Sequence, residues 1–158
     1  MVKPDLPLPL TDSCVARPIQ RFEVSLKAFI VRGDKALFLR ERATGLWELP
    51  GGRIEVGEEQ LDHRTVLDRE LVEELGPTLK VRLGARAVTW TRAHPGEDRY
   101  VFLIARRGTL VAGEPQLSSE HDALTWLDEH EWHQLSFPGD SGYLAAIERL
   151  WRVGDDAN

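Results

Sequence analysis

One stretch limits the architecture of this chain more than any other. "LWELPGGRIEVGEE" (46–59) is soon followed by "RELVEELGP" (69–77). Pro50 stops a short strand-like run, because proline has no amide to give to a ladder. Gly51 and Gly52 then permit a sharp backbone path. A helix is predicted over about 59–75, stopped by Gly76-Pro77. Glycine accepts the left-handed cap and proline cannot continue the helix. At about 100° per residue, Leu67, Leu71, Val72 and Leu75 fall on one side, toward a core. Glu70, Glu73 and Glu74 occupy an adjacent arc.

That arc is under electrostatic tension. Like charges three or four positions apart cost roughly 0.2–0.5 kcal/mol per pair. Arg69, four residues before Glu73, can pair with it, but no cation lies three or four positions from Glu70 or Glu74 within the helix. Those two are i, i+4 neighbours, which suits two oxygen ligands on one hard cation. Mg²⁺ takes carboxylate oxygens and favours phosphate groups as further ligands. A solvated acidic face is the plain alternative. The preceding glycines favour the ion, because they let a ligand or metal approach a main-chain carbonyl.

The flanking segments supply a sheet. Phe22, Val24, Leu26, Ala28 and Ile30 alternate in "RFEVSLKAFIV", the period of a strand with one buried face. "RGDK" supplies a turn, and "ALFLRE" reads as the return strand of a hairpin. "LKVRLGARAVTW", "RYVFLIARR" and "ALTWL" are strand-like, with the loop "RAHPGED" and its His94 between the first two. A short helix is predicted at "DEHEWHQL". A last helix is predicted at 142–152, where Tyr143, Leu144, Ile147, Leu150 and Trp151 form a stripe. Strands on both sides of a central helix, with another helix at the end, predict an α/β chain whose mixed sheet lies between helices. The proline-rich residues 1–20 read as an extended arm, 21–153 as one domain and 154–158 as a tail.

Composition narrows the function. A net charge of −6 argues against broad binding to nucleic acid or to an anionic membrane. Cys14 is the single cysteine, so no internal disulfide or thiol cluster is expected. No apolar run approaches the roughly 18 residues that span a bilayer. "MVKPDLPLPLTD" has neither a compact apolar signal core nor a cleavage pattern, which reads as a cytoplasmic protein.

The central segment resembles the Nudix box of the Nudix hydrolases. That pattern runs glycine, five residues, glutamate, seven residues, then Arg-Glu-aliphatic-x-Glu-Glu-x-Gly-aliphatic. Gly52 and Glu58 match its first part; Arg69, Glu70, Leu71, Glu73, Glu74 and Gly76 match its second. There are two departures. Pro77 stands at the final aliphatic position, and ten residues separate Glu58 from Arg69 where the pattern has seven. Three extra residues would turn a helix by about 300°. They are therefore expected in a longer loop ahead of the helix, with Asp62 as its N-cap. With the first hairpin, and with "SSEHDALTWLDEHEW" similar to a later loop and strand of the family, the likeness covers about 21–150.

The resemblance implies a Nudix-type α/β/α sandwich. It also implies Mg²⁺- or Mn²⁺-dependent cleavage of a nucleoside diphosphate linked to another moiety, by water attack at phosphorus. Glu70 and Glu74 would be the leading metal ligands, with Glu73 a ligand or water-orienting group and the Gly51 carbonyl completing the shell. Arg69 would orient Glu73 or Glu58. The general base would be a box glutamate or a glutamate from a distant loop, for which Glu120 is the candidate. Arg40 and Arg53 are candidate phosphate contacts and Trp47 a candidate base contact. Glu55 and Glu59 read as solvated, and His63, His121, His130 and His133 as structural. Neither Pro95 nor Tyr100 lies where members acting on ADP-ribose or diadenosine polyphosphates carry their marks, which leaves nucleoside triphosphates or another nucleotide derivative. The partner is thus a nucleotide, for a monomer or homodimer. Two alternatives stand: a Nudix-fold sensor that binds a nucleotide without cleaving it, and an RNA 5′-end pyrophosphohydrolase, which the acidic balance disfavours.

Overall fold

Strand β1 (Glu23–Arg32) turns at Gly33, whose φ is 64°, into β2 (Lys35–Glu41), forming the expected hairpin. The computed structural model describes residues 17–94, 97–139 and 141–154. Cys14 and most of the predicted arm lie outside the described residues, as do Pro95 and the tail from 155. β2 pairs antiparallel with β3 (Trp47–Glu48) and with β7 (His121–Leu127). On its other side β1 runs parallel to β6 (Tyr100–Ala112), which pairs antiparallel with β5 (Lys80–Ala93). The order is β3-β2-β1-β6-β5, a mixed sheet of seven strands once β4 (Gly51–Arg53) and β7 are included.

The Gly-Gly segment is more regular than a loop. Gly51–Arg53 forms a short strand, β4, that pairs antiparallel with β1: Ser25 opposes Arg53, Leu26 opposes Gly52 and Lys27 opposes Gly51. The Ala28 amide donates to the Pro50 carbonyl at 2.9 Å, and the Ile54 amide donates to Val24 at 2.9 Å. This pairing docks the glycines on the centre of the sheet.

Helix α1 (His63–Leu75) covers one face and α2 (Ser141–Arg152) the other. Leu26, Ala28, Ile30, Leu37 and Leu39 meet Val66, Leu67, Leu71 and Leu75 of α1. Phe29, Val31 and Phe38 share the second core with Tyr143, Ala146, Ile147 and Leu150 of α2. β1 is therefore buried on both faces rather than one, because helices cover both sides of the central strands. Its second face includes Ser25 and Lys27, both buried.

Three helix expectations need adjustment. α1 begins at His63, not near 59, and the Asp62 side chain accepts the Arg64 amide at 2.7 Å as its N-cap. The extra residues are thus accommodated before the helix. Within α1, Val72 is exposed; Val66 and Glu74 are buried instead. Glu74 lies three residues after Leu71, on the same stripe. In α2, Leu144 is partly exposed and Ala146 takes the buried place. The short helix predicted at "DEHEWHQL" contracts to a 3-10 turn over Trp132–Gln134. Among the described residues no helix is long and apolar enough to cross a membrane.

Asp62→Ala removes the cap and is expected to lower stability by about 1 kcal/mol. Urea unfolding should show a lower midpoint at an unchanged slope.

Candidate functional site

The two glycines serve different purposes. Gly51 has φ 122°, and a Cβ there would lie 2.1 Å from the Leu26 carbonyl oxygen of β1. A side chain is excluded both by backbone conformation and by the close strand. At Gly52 the obstacle comes from the helix: a Cβ would lie 2.3 Å from Glu70 Oε2 and 2.5 Å from Oε1. Gly52 makes room for a carboxylate.

The glutamates on α1 form a gradient of exposure. Glu74 is 5 % exposed, and its Oε2 accepts the Gly51 amide at 2.7 Å. Burial pushes its carboxyl up to about 7, although Lys27 and the Gly51 amide pull the other way. The Glu70 side chain is 12 % exposed, and burial raises its pKa too, against the pull of Arg69. The Glu73 side chain is 58 % exposed. Arg69 binds all the groups around it. It reaches Glu58 at 2.6 and 2.9 Å, Glu70 at 3.0 Å and Glu73 at 3.1 Å. The Glu58 pair forms despite the longer loop, and the hydrogen bond from Arg69 holds that carboxyl below its usual range. Glu70 therefore has a neighbouring cation after all. The spacing rule overlooks it because adjacent helical residues do not face each other directly, whereas the long guanidinium bends back.

Beneath these carboxylates is a buried ionic network that sequence reasoning missed. Lys27 Nζ donates to the Gly51 carbonyl at 2.7 Å and to Glu48 Oε2 at 3.2 Å. His121 Nε2 meets Glu48 Oε1 at 3.0 Å and lies 3.9 Å from Glu74 Oε1. Burial alone would raise the Glu48 pKa, but Lys27 and His121 overcome it and hold the carboxyl down at about 2. Burial opposes the charges on Lys27 and His121 as well. The surrounding carboxylates outweigh it, so both groups lie above their ordinary pKa. Lys27 stood on what read as a solvent face of β1, and His121 read as structural. A charge on an alternating strand is the only hint, and it becomes informative once α2 is known to cover that face.

These groups open onto a cleft of about 1040 Å³. Glu70, Glu73, Glu74, Gly51, Arg53 and Glu120 all line it. Phe22, Val24, Ile54 and Val56 give it an apolar portion. Phe22 packs edge-on against Tyr100 and Phe102. Arg53 pairs with Glu23 at 3.1 Å and contacts His94 Nε2. Burial and the guanidinium of Arg53 lower the His94 pKa, in keeping with a neutral acceptor ring. Arg40 and Trp47 do not line this cleft. Arg40 Nε is turned to Asp122 Oδ1 at 2.7 Å, and Trp47 packs against the core beneath α2.

The donor chemistry suits a hard divalent cation. Glu70 and Glu74 are carboxylates whose charge is disfavoured by burial, and a bound cation would compensate it. Glu73 adds a third oxygen donor at the exposed edge. The Gly51 carbonyl, expected to complete the shell, already accepts from Lys27.

The chain is similar to known proteins along most of its length. A NUDIX domain profile matches residues 21–149. The chain is 33 % identical over 137 residues to the putative 8-oxo-dGTP diphosphatase 2 of Mycobacterium tuberculosis, covering 80 % of this chain and 89 % of that protein. It is 32 % identical over 133 residues to the CTP pyrophosphohydrolase of Escherichia coli, covering 80 % and 93 %. The solution structure of the E. coli ORF135 protein superimposes with a TM-score of 0.67 at 30 % identity, over 90 % of this chain and 100 % of that one.

Two outcomes are expected. Gly52→Ala should fold but displace Glu70, weakening Mn²⁺ binding about 10- to 100-fold in a calorimetric titration. The second concerns pH without metal. Glu74 has a folded pKa of about 7 against an ordinary 4.5, so its contribution to stability is complete below 4.5 and is lost as pH rises through 7. Urea unfolding in EDTA should show wild type losing stability relative to Glu74→Gln across that window, by at most about 1.4 kcal/mol per pH unit.

Proposed function

The chain belongs to the Nudix hydrolases, and from that premise we propose that it cleaves a nucleoside triphosphate to the monophosphate and pyrophosphate, using Mg²⁺ or Mn²⁺ held by Glu70, Glu73 and Glu74. The observation that carries this reading is the pair of desolvated carboxylates, Glu70 and Glu74, packed on the two glycines at a nucleotide-sized cleft. The activities named for the two relatives, on 8-oxo-dGTP and on CTP, support a triphosphate as substrate.

A bound divalent ion supplies charge neutralisation on the phosphates and acidifies water. The protein groups divide the remaining work. The Gly51 amide orients Glu74, and Arg69 fixes Glu73 and Glu58. Glu120, exposed at the cleft, is the base that removes a proton as water attacks phosphorus. The new P–O bond forms as the bridging P–O bond between the α and β phosphates breaks, and pyrophosphate or the nucleoside monophosphate departs with the electron pair. Arg53 contacts a phosphate, and Phe22 with its apolar neighbours receives the base.

A panel of CTP, dGTP, 8-oxo-dGTP and ADP-ribose with Mg²⁺ or Mn²⁺ tests this reading. Pyrophosphate and a nucleoside monophosphate should appear from at least one triphosphate. Glu74→Gln is expected to lower turnover by more than about 100-fold; equal rates would remove Glu74 from the mechanism. Glu120→Gln should lower kcat by about 10²- to 10⁴-fold at unchanged Mn²⁺ affinity. Tight nucleotide binding by wild type with no product from any substrate would favour the sensor.

A further inference from the structure

Four donor groups converge behind the exposed carboxylates. Ligand atoms of Glu48, Glu74 and His121 lie within 4.8 Å of one another. The Gly51 carbonyl borders the same space, because Lys27 Nζ touches both it and Glu48. Two carboxylates, an imidazole and a carbonyl would suit a divalent ion such as Mn²⁺. Yet a cation of the chain's own is already there. We infer that the Lys27 ammonium takes the place of a divalent ion at the inner end of the carboxylate cluster and confines metal to the outer donors Glu70, Glu73 and Glu74. The inference rests on the metal-binding reading above.

The hydrogen bonds favour this assignment over a packing role. The Lys27 side chain is 7 % exposed, and burying an ammonium is costly unless anions compensate it. An apolar residue would fill a position on the central strand at no such cost. Glu48 has both oxygens engaged, Oε2 by Lys27 and Oε1 by His121. Glu74 Oε2 is engaged by the Gly51 amide. A divalent ion entering here would meet a fixed positive charge and would have to displace it from two ligands. Among the described residues Glu70 and Glu73 make no hydrogen bond to Lys27 Nζ; their neighbouring cation is Arg69, which takes Oε1 of Glu70 and Oε2 of Glu73 and leaves the other oxygen of each for metal. Lys27 would thus give the inner end of the cluster a permanent positive charge whatever the metal concentration, as Arg69 does at the outer end.

Counting bound Mn²⁺ tests the inference without relying on activity. Wild type and Lys27→Met are titrated by calorimetry, with free Mn²⁺ followed by its paramagnetic resonance signal. Lys27→Met is expected to bind one more equivalent per chain, and Lys27→Met/His121→Ala to lose that extra equivalent. Equal stoichiometry in wild type and Lys27→Met overturns the inference and leaves the metal-binding reading intact. If Lys27→Met is unfolded without metal, Mn²⁺ is expected to restore its circular dichroism spectrum, and failure to do so at any Mn²⁺ concentration overturns the inference. A wild type that binds no Mn²⁺ and turns over no nucleotide overturns both.

Discussion

The short bond from the Gly51 amide to the Glu74 carboxylate joins the parts on which this site depends. Glu74 belongs to α1, and Gly51 belongs to β4, which is laddered onto β1 in the sheet centre. The bond therefore fixes the helix against the sheet at the point where the carboxylates gather. It can form only because residue 51 has no side chain to collide with Leu26. On its carbonyl side the same residue accepts from Lys27, so one glycine is gripped by an anion at its amide and a cation at its carbonyl. A charge-assisted bond in a water-poor setting is stronger than its exposed counterpart.

From that point outward the electrostatics are graded. Lys27 and His121 hold the Glu48 carboxyl well below its usual range against its burial, and Glu74, a short distance away, is pushed toward protonation by burial. Like carboxylates thus acquire opposite tendencies from their surroundings. Farther out, Arg69 collects Glu58, Glu70 and Glu73 into one network at the start of the cleft. Because this network draws on a loop as well as a helix, its geometry does not depend on a fixed number of residues between Glu58 and Arg69. Asp62 starts the helix late enough for the loop to take up the difference.

Much of this was legible beforehand. The Nudix likeness, the mixed sheet between helices, the Asp62 cap and the spacing of the three glutamates follow from local patterns, which repeat at helix or strand period or lie at fixed short distances. The misreadings have a common cause. Val72 and Leu144 were assigned to the core from period alone, but which edge of a stripe is buried depends on how the helix is rotated on the sheet. Residue type likewise does not predict that Arg40 bonds Asp122 or that Trp47 packs on the core beneath α2.

Local sequence determined a helix over about 59–75 with three carboxylates at set intervals, preceded by two glycines that permit a sharp backbone path. Tertiary structure decided which carboxylate is buried, and it alone assembled Lys27, Glu48 and His121, which are distant in the chain and belong to three different strands. The reason is that helical spacing is set by bonds between near neighbours, whereas burial and the pairing of a charge depend on what the rest of the chain packs against it.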